Sequence, residues 1–392
     1  MQYDFSRVAN RRHTSSLKWD VLDNELPMWV ADMDFETPDF ILDSLRKTLE
    51  TKNFGYKNIS CNYFLSFKNF WLRNHDFLME EENMIFATGV VPAISSIVRK
   101  VTSVGEKVLV TKPCYNIFFN SIVNNGRFVE SSDLILVDNK YEIDFNDLEK
   151  KLSDPQVSLF ILCNPENPVG KVFTKEELKR IGQLCKKYNV IVLSDEIHCD
   201  IVNPNYKYVP FASVNETNKD ISITCLSASK CFSLPGLQGA MVYVSNLKLH
   251  HLVWRGLNTD EVAEANSFVC DAFSSALDNG DAYLKELNIY IQNNKDYAID
   301  FIKNNIKEFR VYETNATYLL WVDISNLTLD ASSFCDFLRK KTGLYITAGS
   351  AYGENAKSFV RINLGTSLDI VKDGMSRLLN GVKLYKEECC KC

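Results

Sequence analysis

The sequence predicts an α/β fold: a large domain with a mostly parallel sheet flanked by helices, and a small α+β domain formed from both chain ends. Three observations predict it. Short, β-branched, near-continuously apolar runs alternate with amphipathic helical segments through the middle of the chain, the pattern of strands buried on both faces and joined by helical crossovers. After about residue 246 the pattern changes to long helices and then to a smaller set of strands and helices. With 46% hydrophobic residues in 392, and with 16 Gly and 10 Pro, the chain can bury a large core. The boundaries read 46–285 for the large domain, and 1–45 with 286–392 for the small one.

The elements follow in order. Strands are expected at 84–88, 107–111, 159–163, 190–193, 221–226 and 239–244. The clearest helix is 174–188. Thr174 precedes Glu177 at capping-box spacing, and Leu178, Ile181, Leu184 and Cys185 share one face. Long helices are expected over 260–305. Beyond them come strands at 309–312, 318–324 and 359–363, and a helix over 368–386. Residues 1–45 are expected to pack with this last region.

Charge and cysteine usage exclude several function classes. A net charge of −6 gives no basic field for nucleic acid or anionic lipid. No apolar run approaches the ~20 residues of a membrane span. The first twenty residues carry charge without the apolar core of a secretory signal. A cytoplasmic, reducing setting with free thiols is therefore expected. Of the 12 Cys, Cys61, Cys114, Cys163, Cys185, Cys199, Cys225, Cys231, Cys270 and Cys335 lack C-x-x-C pairing. They read as small buried hydrophobes, not as structural zinc ligands or a redox pair, and no metal is expected. Cys389, Cys390 and Cys392 read as a frayed terminus.

In open parallel sheets, ligands bind beyond the carboxyl ends of the strands. Gly89-Val90-Val91-Pro92 follows the first strand and turns into a helix start, whose free amides suit a phosphate. Tyr115 lies just past the second and offers a face to a flat ring. Asn164-Pro165 and Asn167-Pro168 follow the third. Each residue before Pro is pushed to extended conformation, a ledge from which an Asn offers its amide to a ligand oxygen. Asp195 ends the fourth, where a buried carboxylate needs a cationic partner, and His198 reaches the same ligand. Ser227, Ser229 and Lys230 follow the fifth. Desolvation lowers a Lys pKa, and a neutral amine can form a Schiff base. Arg361 sits in the apolar strand 359–363, where its fork needs a carboxylate.

Singly, each group has an ordinary reading too: a plain βα turn, a core Tyr, a simple loop, a capping Asp with a core His, a snorkelling Lys, an edge-strand Arg. Together they fit one ligand. Phosphate goes to the Gly89 turn and the Ser227 and Ser229 hydroxyls. The ring lies under Tyr115, its nitrogen facing Asp195 and its phenolic oxygen near Asn167. The aldehyde goes to Lys230, and a substrate carboxylate to Arg361. That ligand is pyridoxal 5′-phosphate.

The series N-P-x-N-P-x-G, S-D-E, S-x-S-K and an Arg in a late strand stands in this order. On these motifs the chain resembles the fold-type I pyridoxal-phosphate enzymes of the aminotransferase class I/II superfamily, over almost its full length. Segments 26–35 (LPMWVADMDF), 54–56 (FGY), 89–92 (GVVP) and 195–198 (DEIH) are most similar to the MalY/PatB group of cystathionine β-lyase-type C–S lyases. His198 stands where ordinary aminotransferases usually carry Tyr.

The resemblance implies that Lys230 holds the cofactor covalently and acts in catalysis. It implies that Asp195 keeps the pyridine nitrogen protonated and that Asn167 bonds the phenolic oxygen. Gly89, Val90, Val91, Tyr115, His198, Ser227 and Ser229 would complete the cofactor site, and Arg361 with Ala31 would receive the substrate α-carboxylate. Tyr56 would reach the site of the neighbouring subunit, making a homodimer the functional unit. The implied reaction is α,β-elimination from cystathionine or a related cysteine S-conjugate, to a thiol, pyruvate and ammonia. An aminotransferase is the rival reading. A cofactor-binding regulatory protein acting through a transcription factor is the third. Three features depart from the group pattern: Glu166 where His is common, Cys231 where Thr is common, and the stretch 349–357, less Gly-rich than usual.

Overall fold

Residues 3–389 are described by the computed structural model; Cys390, Cys392 and the side chain of Cys389 lie outside that description. Eight strands make the central sheet, in the spatial order Met84–Ala87, Ala240–Tyr243, Ser222–Leu226, Ile191–Asp195, Val157–Cys163, Lys107–Lys112, Phe128–Val137 and Lys140–Ile143. The five from Ser222–Leu226 to Phe128–Val137 are mutually parallel. Side chains alternate between the faces of a strand. Thus Leu159, Ile161 and Cys163 enter one core with Ile94 and Leu257, while Phe160 and Leu162 enter another with Leu148 and Ile181. Helices cover both faces, which is why these strands read as unbroken apolar runs. The capping box is present: Thr174 caps the helix Lys175–Lys187 and exchanges hydrogen bonds with Glu177.

Two parts of the sheet differ from the expectation. Ala240–Tyr243 runs antiparallel to both its neighbours. It is buried on both faces like a parallel strand, so its composition does not reveal its direction. The hairpin Phe128–Val137 and Lys140–Ile143 closes one edge. Its apolar residues are interrupted by Glu130-Ser131-Ser132-Asp133, and Ile135, Leu136 and Val137 stay largely exposed, so it does not read as a buried strand. Its signal was the turn Asp138-Asn139, both at positive φ (49° and 68°), a short-hairpin signature.

A second, four-stranded antiparallel sheet holds Arg310–Val311, Leu319–Asp323, Phe359–Asn363 and Thr347–Ala348. It has its own core with the helices Ala331–Thr342 and Leu368–Cys389. Residues Trp19, Leu26 and Met28 join that core, and Leu26–Pro27 pairs with Leu344–Tyr345. Phe5, Met33, Phe35 and Ile41 instead pack with the helices Cys61–His75 and Val269–Asn279 against the large sheet. The long helical region is broken at Gly280, between Val269–Asn279 and Asp281–Asn305. A Cβ there would lie 2.2 Å from the Phe232 ring.

The nine body cysteines are free; eight are buried as expected, and Cys61 is exposed. Among the described residues, no helix is long and apolar enough to cross a membrane.

Candidate active site

The carboxyl ends of five sheet strands meet at a cavity of about 270 Å³. Its lining includes Ala31, Gly89, Val90, Val91, Tyr115, Asn167, Asp195, His198, Ser229 and Lys230. Local sequence explains each placement. Gly89 caps the helix Val90–Val101, whose first amides lack intrahelical acceptors by position and favour an anion. Both ledge bonds, Asn164-Pro165 and Asn167-Pro168, are cis. Asp195 is the last residue of its strand. The next residue, Glu196, is buried and tied by Ser194 Oγ, the Phe211 amide and the Tyr208 hydroxyl, which fixes the turn carrying Asp195 and His198.

The electrostatics follow from burial. The Asp195 carboxylate is 4% exposed and accepts from the Ile197 amide at 3.1 Å. Burial pushes it up to about 7; Glu196 adds to the shift, while Ile197 and Lys230 oppose it. A cation in the cavity would reverse that shift. Lys230 Nζ donates to the Ala31 carbonyl at 2.7 Å. Burial, then the Arg361 charge, bring this amine down to about 8. His198 is held neutral: burial pushes it down to about 3, with Lys230 and Arg361 adding.

Three expected residues do not line the cavity. Ser227 stands behind Ser229, its Oγ 2.7 Å from the Gly239 carbonyl and 2.9 Å from Ser229 Oγ. Its hydroxyl therefore positions Ser229. Arg361 reaches the site through Asn167: Nη1 donates to Oδ1 at 3.2 Å, and Nη2 donates to the Trp29 carbonyl at 2.9 Å. Tyr56 is wholly exposed and lies in a separate surface depression with Glu264 and Asn266.

Sequence reasoning missed Thr88, Cys163, Pro235, Gln238 and Gly239, which also line the cavity. Gln238 adopts φ 54°, a conformation no local motif announces. Trp29 and Ala31 act through backbone carbonyls, which any residue supplies.

Two buried nitrogens beside the cavity, His198 Nδ1 and Arg361 Nε, have no hydrogen-bond partner among the described residues. The donor set suits a flat ligand with an anionic end, a cationic ring nitrogen, an oxygen acceptor and an electrophilic carbon within reach of an amine. Buried polar groups left unpaired are costly, so a polar ligand reaching these two atoms would be stabilised.

Comparison with known proteins agrees with this geometry. The aminotransferase class I and II family model matches residues 55–378. Cystathionine beta-lyase PatB of Bacillus subtilis is 35% identical over 389 residues, covering 96% of this chain and 98% of that protein. Among solved structures, cystalysin from Treponema denticola, which contains a pyridoxal 5′-phosphate cofactor, is 29% identical with a TM-score of 0.94. That match covers 98% of this chain and 99% of the other. The PLP-bound C–S lyase from Staphylococcus hominis is 30% identical with a TM-score of 0.91, covering 97% and 98%. The fold is that of the fold-type I pyridoxal-phosphate transferases, and the chain belongs to the aminotransferase class I and II family.

Proposed function

We propose that the protein is a pyridoxal-phosphate-dependent C–S β-lyase. It would take cystathionine or a related cysteine S-conjugate to a thiol, pyruvate and ammonia. The observation that carries this is Lys230, the one amine among the cavity-lining residues, set opposite Asp195 and beside the Asn167–Arg361 pair. The relatives named as C–S lyases favour elimination over amino transfer.

The residues fit the cofactor. The helix start at Gly89–Val91 and Ser229 would hold the phosphate, with Ser227 behind. Tyr115 would stack on the ring, Asp195 would sit at its nitrogen and Lys230 at its aldehyde. Asn167 spends its amide oxygen on Arg361, leaving its NH₂ for the phenolic oxygen. His198, neutral, adds a ring nitrogen without adding charge.

Pyridoxal phosphate supplies an electron sink for the pair left when a Cα proton departs. This chain supplies the rest. Arg361 receives the α-carboxylate, with the Trp29 and Ala31 carbonyls fixing the loop around it. Lys230 Nζ takes the Cα proton, its basicity close to working pH as a general base requires. Asp195 keeps the ring nitrogen protonated, since a buried carboxylate is stabilised by that cation. Lys230 Nζ or the Tyr56 hydroxyl passes a proton to the departing sulfur.

The unit proposed is a homodimer with sites at the interface. Tyr56 supports it: fully exposed and outside the cavity of its own chain, it is free to enter a partner's. The separate core of the four-stranded sheet supports a small domain beside a large one; of the division 46–285 and 1–45 with 286–392, Trp19, Leu26 and Met28 fit the small domain, while Phe5, Met33, Phe35 and Ile41 pack with the large one. The buried free thiols suit a reducing, cytoplasmic setting.

The test supplies cystathionine or cystine to purified protein without a keto acid. Pyruvate together with free thiol is expected. Turnover that needs a keto-acid acceptor would overturn the reading.

A further inference from the structure

Behind the active-site turn, on the side away from the cavity, three side chains of different chemistry converge. His75 is the last residue of the helix Cys61–His75, and Cys199 and Asp200 follow His198 directly. One ligand atom from each lies within 4.8 Å of the others. His75 Nε2 is 2.8 Å from Asp200 Oδ1. A fourth group, the Cys231 thiol next to Lys230, lies 3.6 Å from Asp200 Oδ2. The set is enclosed: the side chains of His75 and Asp200 are 10% and 4% exposed, Cys199 2% and Cys231 0%. It still opens to a cavity of about 520 Å³, whose lining includes His75, Cys199 and Asp200, so an ion has a way in.

We propose that His75, Cys199 and Asp200 form a site for a thiophilic divalent cation of the zinc class, with Cys231 as fourth ligand. The donor types argue for that class. Imidazole plus thiolate selects zinc-like ions, whereas hard ions such as magnesium take oxygen donors. With zinc–nitrogen and zinc–sulfur bonds of about 2.0–2.3 Å, tetrahedral donors stand roughly 3.3–3.8 Å apart. The present separations bracket that range, so small side-chain rotations complete the geometry. Neighbouring contacts hold the Asp200 backbone and the His75 ring in place. Asn288 Nδ2 donates to the Asp200 carbonyl at 2.8 Å, and the Tyr208 ring stands edge-on to His75 at 5.0 Å. On binding, the Cys199 and Cys231 S–H bonds break, two S–metal bonds form, and two protons leave to solvent. The ion would pin the helix Cys61–His75 to the turn behind His198 and Lys230. No C-x-x-C pair marks the cluster, because its members are scattered at 75, 199–200 and 231.

The test uses cofactor-loaded protein in which the competing tail thiols are removed (C389S/C390S/C392S). Zinc is added and excess dialysed away; bound metal is measured by mass spectrometry, and cobalt(II) is then used as the optical probe. Retention of one equivalent of zinc is expected, together with a tetrahedral cobalt spectrum showing thiolate charge transfer. C199S should cut the charge transfer by about half, since Cys231 still supplies one thiolate, and H75Q should weaken binding at least about tenfold. Cofactor absorbance and circular dichroism should stay unchanged in both variants. No zinc retained, retention unchanged by C199S, or an octahedral cobalt spectrum without charge transfer would each overturn the site.

Discussion

Arg361 and Asn167 meet across the junction of the two sheets, Nη1 to Oδ1 at 3.2 Å. Arg361 comes from the strand Phe359–Asn363 of the small sheet, and Asn167 from the ledge after Val157–Cys163. One hydrogen bond thus sets the orientation of the Asn167 amide and of the guanidinium, the groups proposed above to face the ring and to receive the substrate. The Arg361 charge is also felt at Lys230, whose amine it helps to lower. In the proposed site, substrate grip, ring contact and base strength are therefore linked through this pair.

In the proposed mechanism, Lys230→Ala removes both the covalent anchor and the general base. Loss of the visible absorbance of lysine-bound cofactor is expected, with turnover reduced by roughly 10²–10⁴-fold or more. Spectra of purified protein check the first and thiol release checks the second. Survival of the absorbance band would move the anchor to another lysine.

Asp195→Ala leaves a buried ring cation without its partner, a loss of about 3–5 kcal/mol where such pairs are broken. Elimination should fall about 10²–10⁴-fold, with cofactor still bound through Lys230. The ratio of cofactor absorbance to pyruvate production reads the split. Near-normal rates would show that the carboxylate has no electronic role.

The readable parts of the fold and site were those written in side-chain chemistry. The strand Phe359–Asn363 was legible because a lone Arg interrupts an apolar run. Asp195 and Lys230 stood out because charge at the end of a buried strand demands a partner. The direction of Ala240–Tyr243 was not legible, since a strand buried on both faces looks the same either way. Ser227 was read as a direct phosphate ligand, yet its oxygen is spent on Gly239 and Ser229; hydroxyl direction depends on backbone geometry. The carbonyls of Trp29 and Ala31 leave no trace in residue identity.

A shared active site predicts complementation. Lys230→Ala and Tyr56→Phe subunits, each poorly active alone, are mixed after mild dissociation. Half the reformed dimers should be mixed, each with one intact site, restoring about a quarter of wild-type activity. Activity that stays at the average of the two parents would mean that Tyr56 serves its own chain or none.

Lys295 is fully buried, with Nζ donating to the Ala316 carbonyl at 2.8 Å and 3.4 Å from Asn203 Oδ1. Burial pushes this amine down to about 7; the nearby Asp296 charge opposes that. The unfolded chain, with lysine near its ordinary 10.5, binds more protons than the folded one between these values. Stability from this group therefore rises with pH from about 7 to 10.5, by up to about 1.4 kcal/mol per pH unit. Lys295→Met should remove that slope, whatever the change in absolute stability from the Ala316 carbonyl left unpaired. Urea unfolding of both proteins at several pH values measures it; parallel pH profiles would show that the lysine stays charged in the fold.

Asp34 gathers three donors: Lys18 Nζ at 2.9 Å from both oxygens, Arg11 Nη2 at 2.6 Å and Trp19 Nε1 at 2.7 Å. Lys18 and Asp34 are each 1% exposed. The loop they anchor, 29–34, carries the Trp29 carbonyl on Arg361 and the Ala31 carbonyl on Lys230. Asp34→Asn keeps the shape and removes the charge, leaving buried Lys18 with Asp32 at 3.7 Å as its remaining anion. A loss of about 3–5 kcal/mol is expected, because an uncompensated buried charge costs more than a missing contact. Since the loop positions Arg361, KM should rise more than kcat falls. The double change Lys18→Met with Asp34→Leu should recover part of the stability, as it removes the uncompensated Lys18 charge but leaves Trp19 Nε1 without its acceptor. It should not recover KM to the same degree, because Lys18 also donates to the Asp32 carbonyl at 3.2 Å and no apolar pair replaces that bond. Denaturant midpoints and steady-state kinetics on the three variants separate these outcomes. An unchanged KM in Asp34→Asn would show that the Asn363 side chain, which donates to the Val30 and Asp32 carbonyls, holds the loop alone.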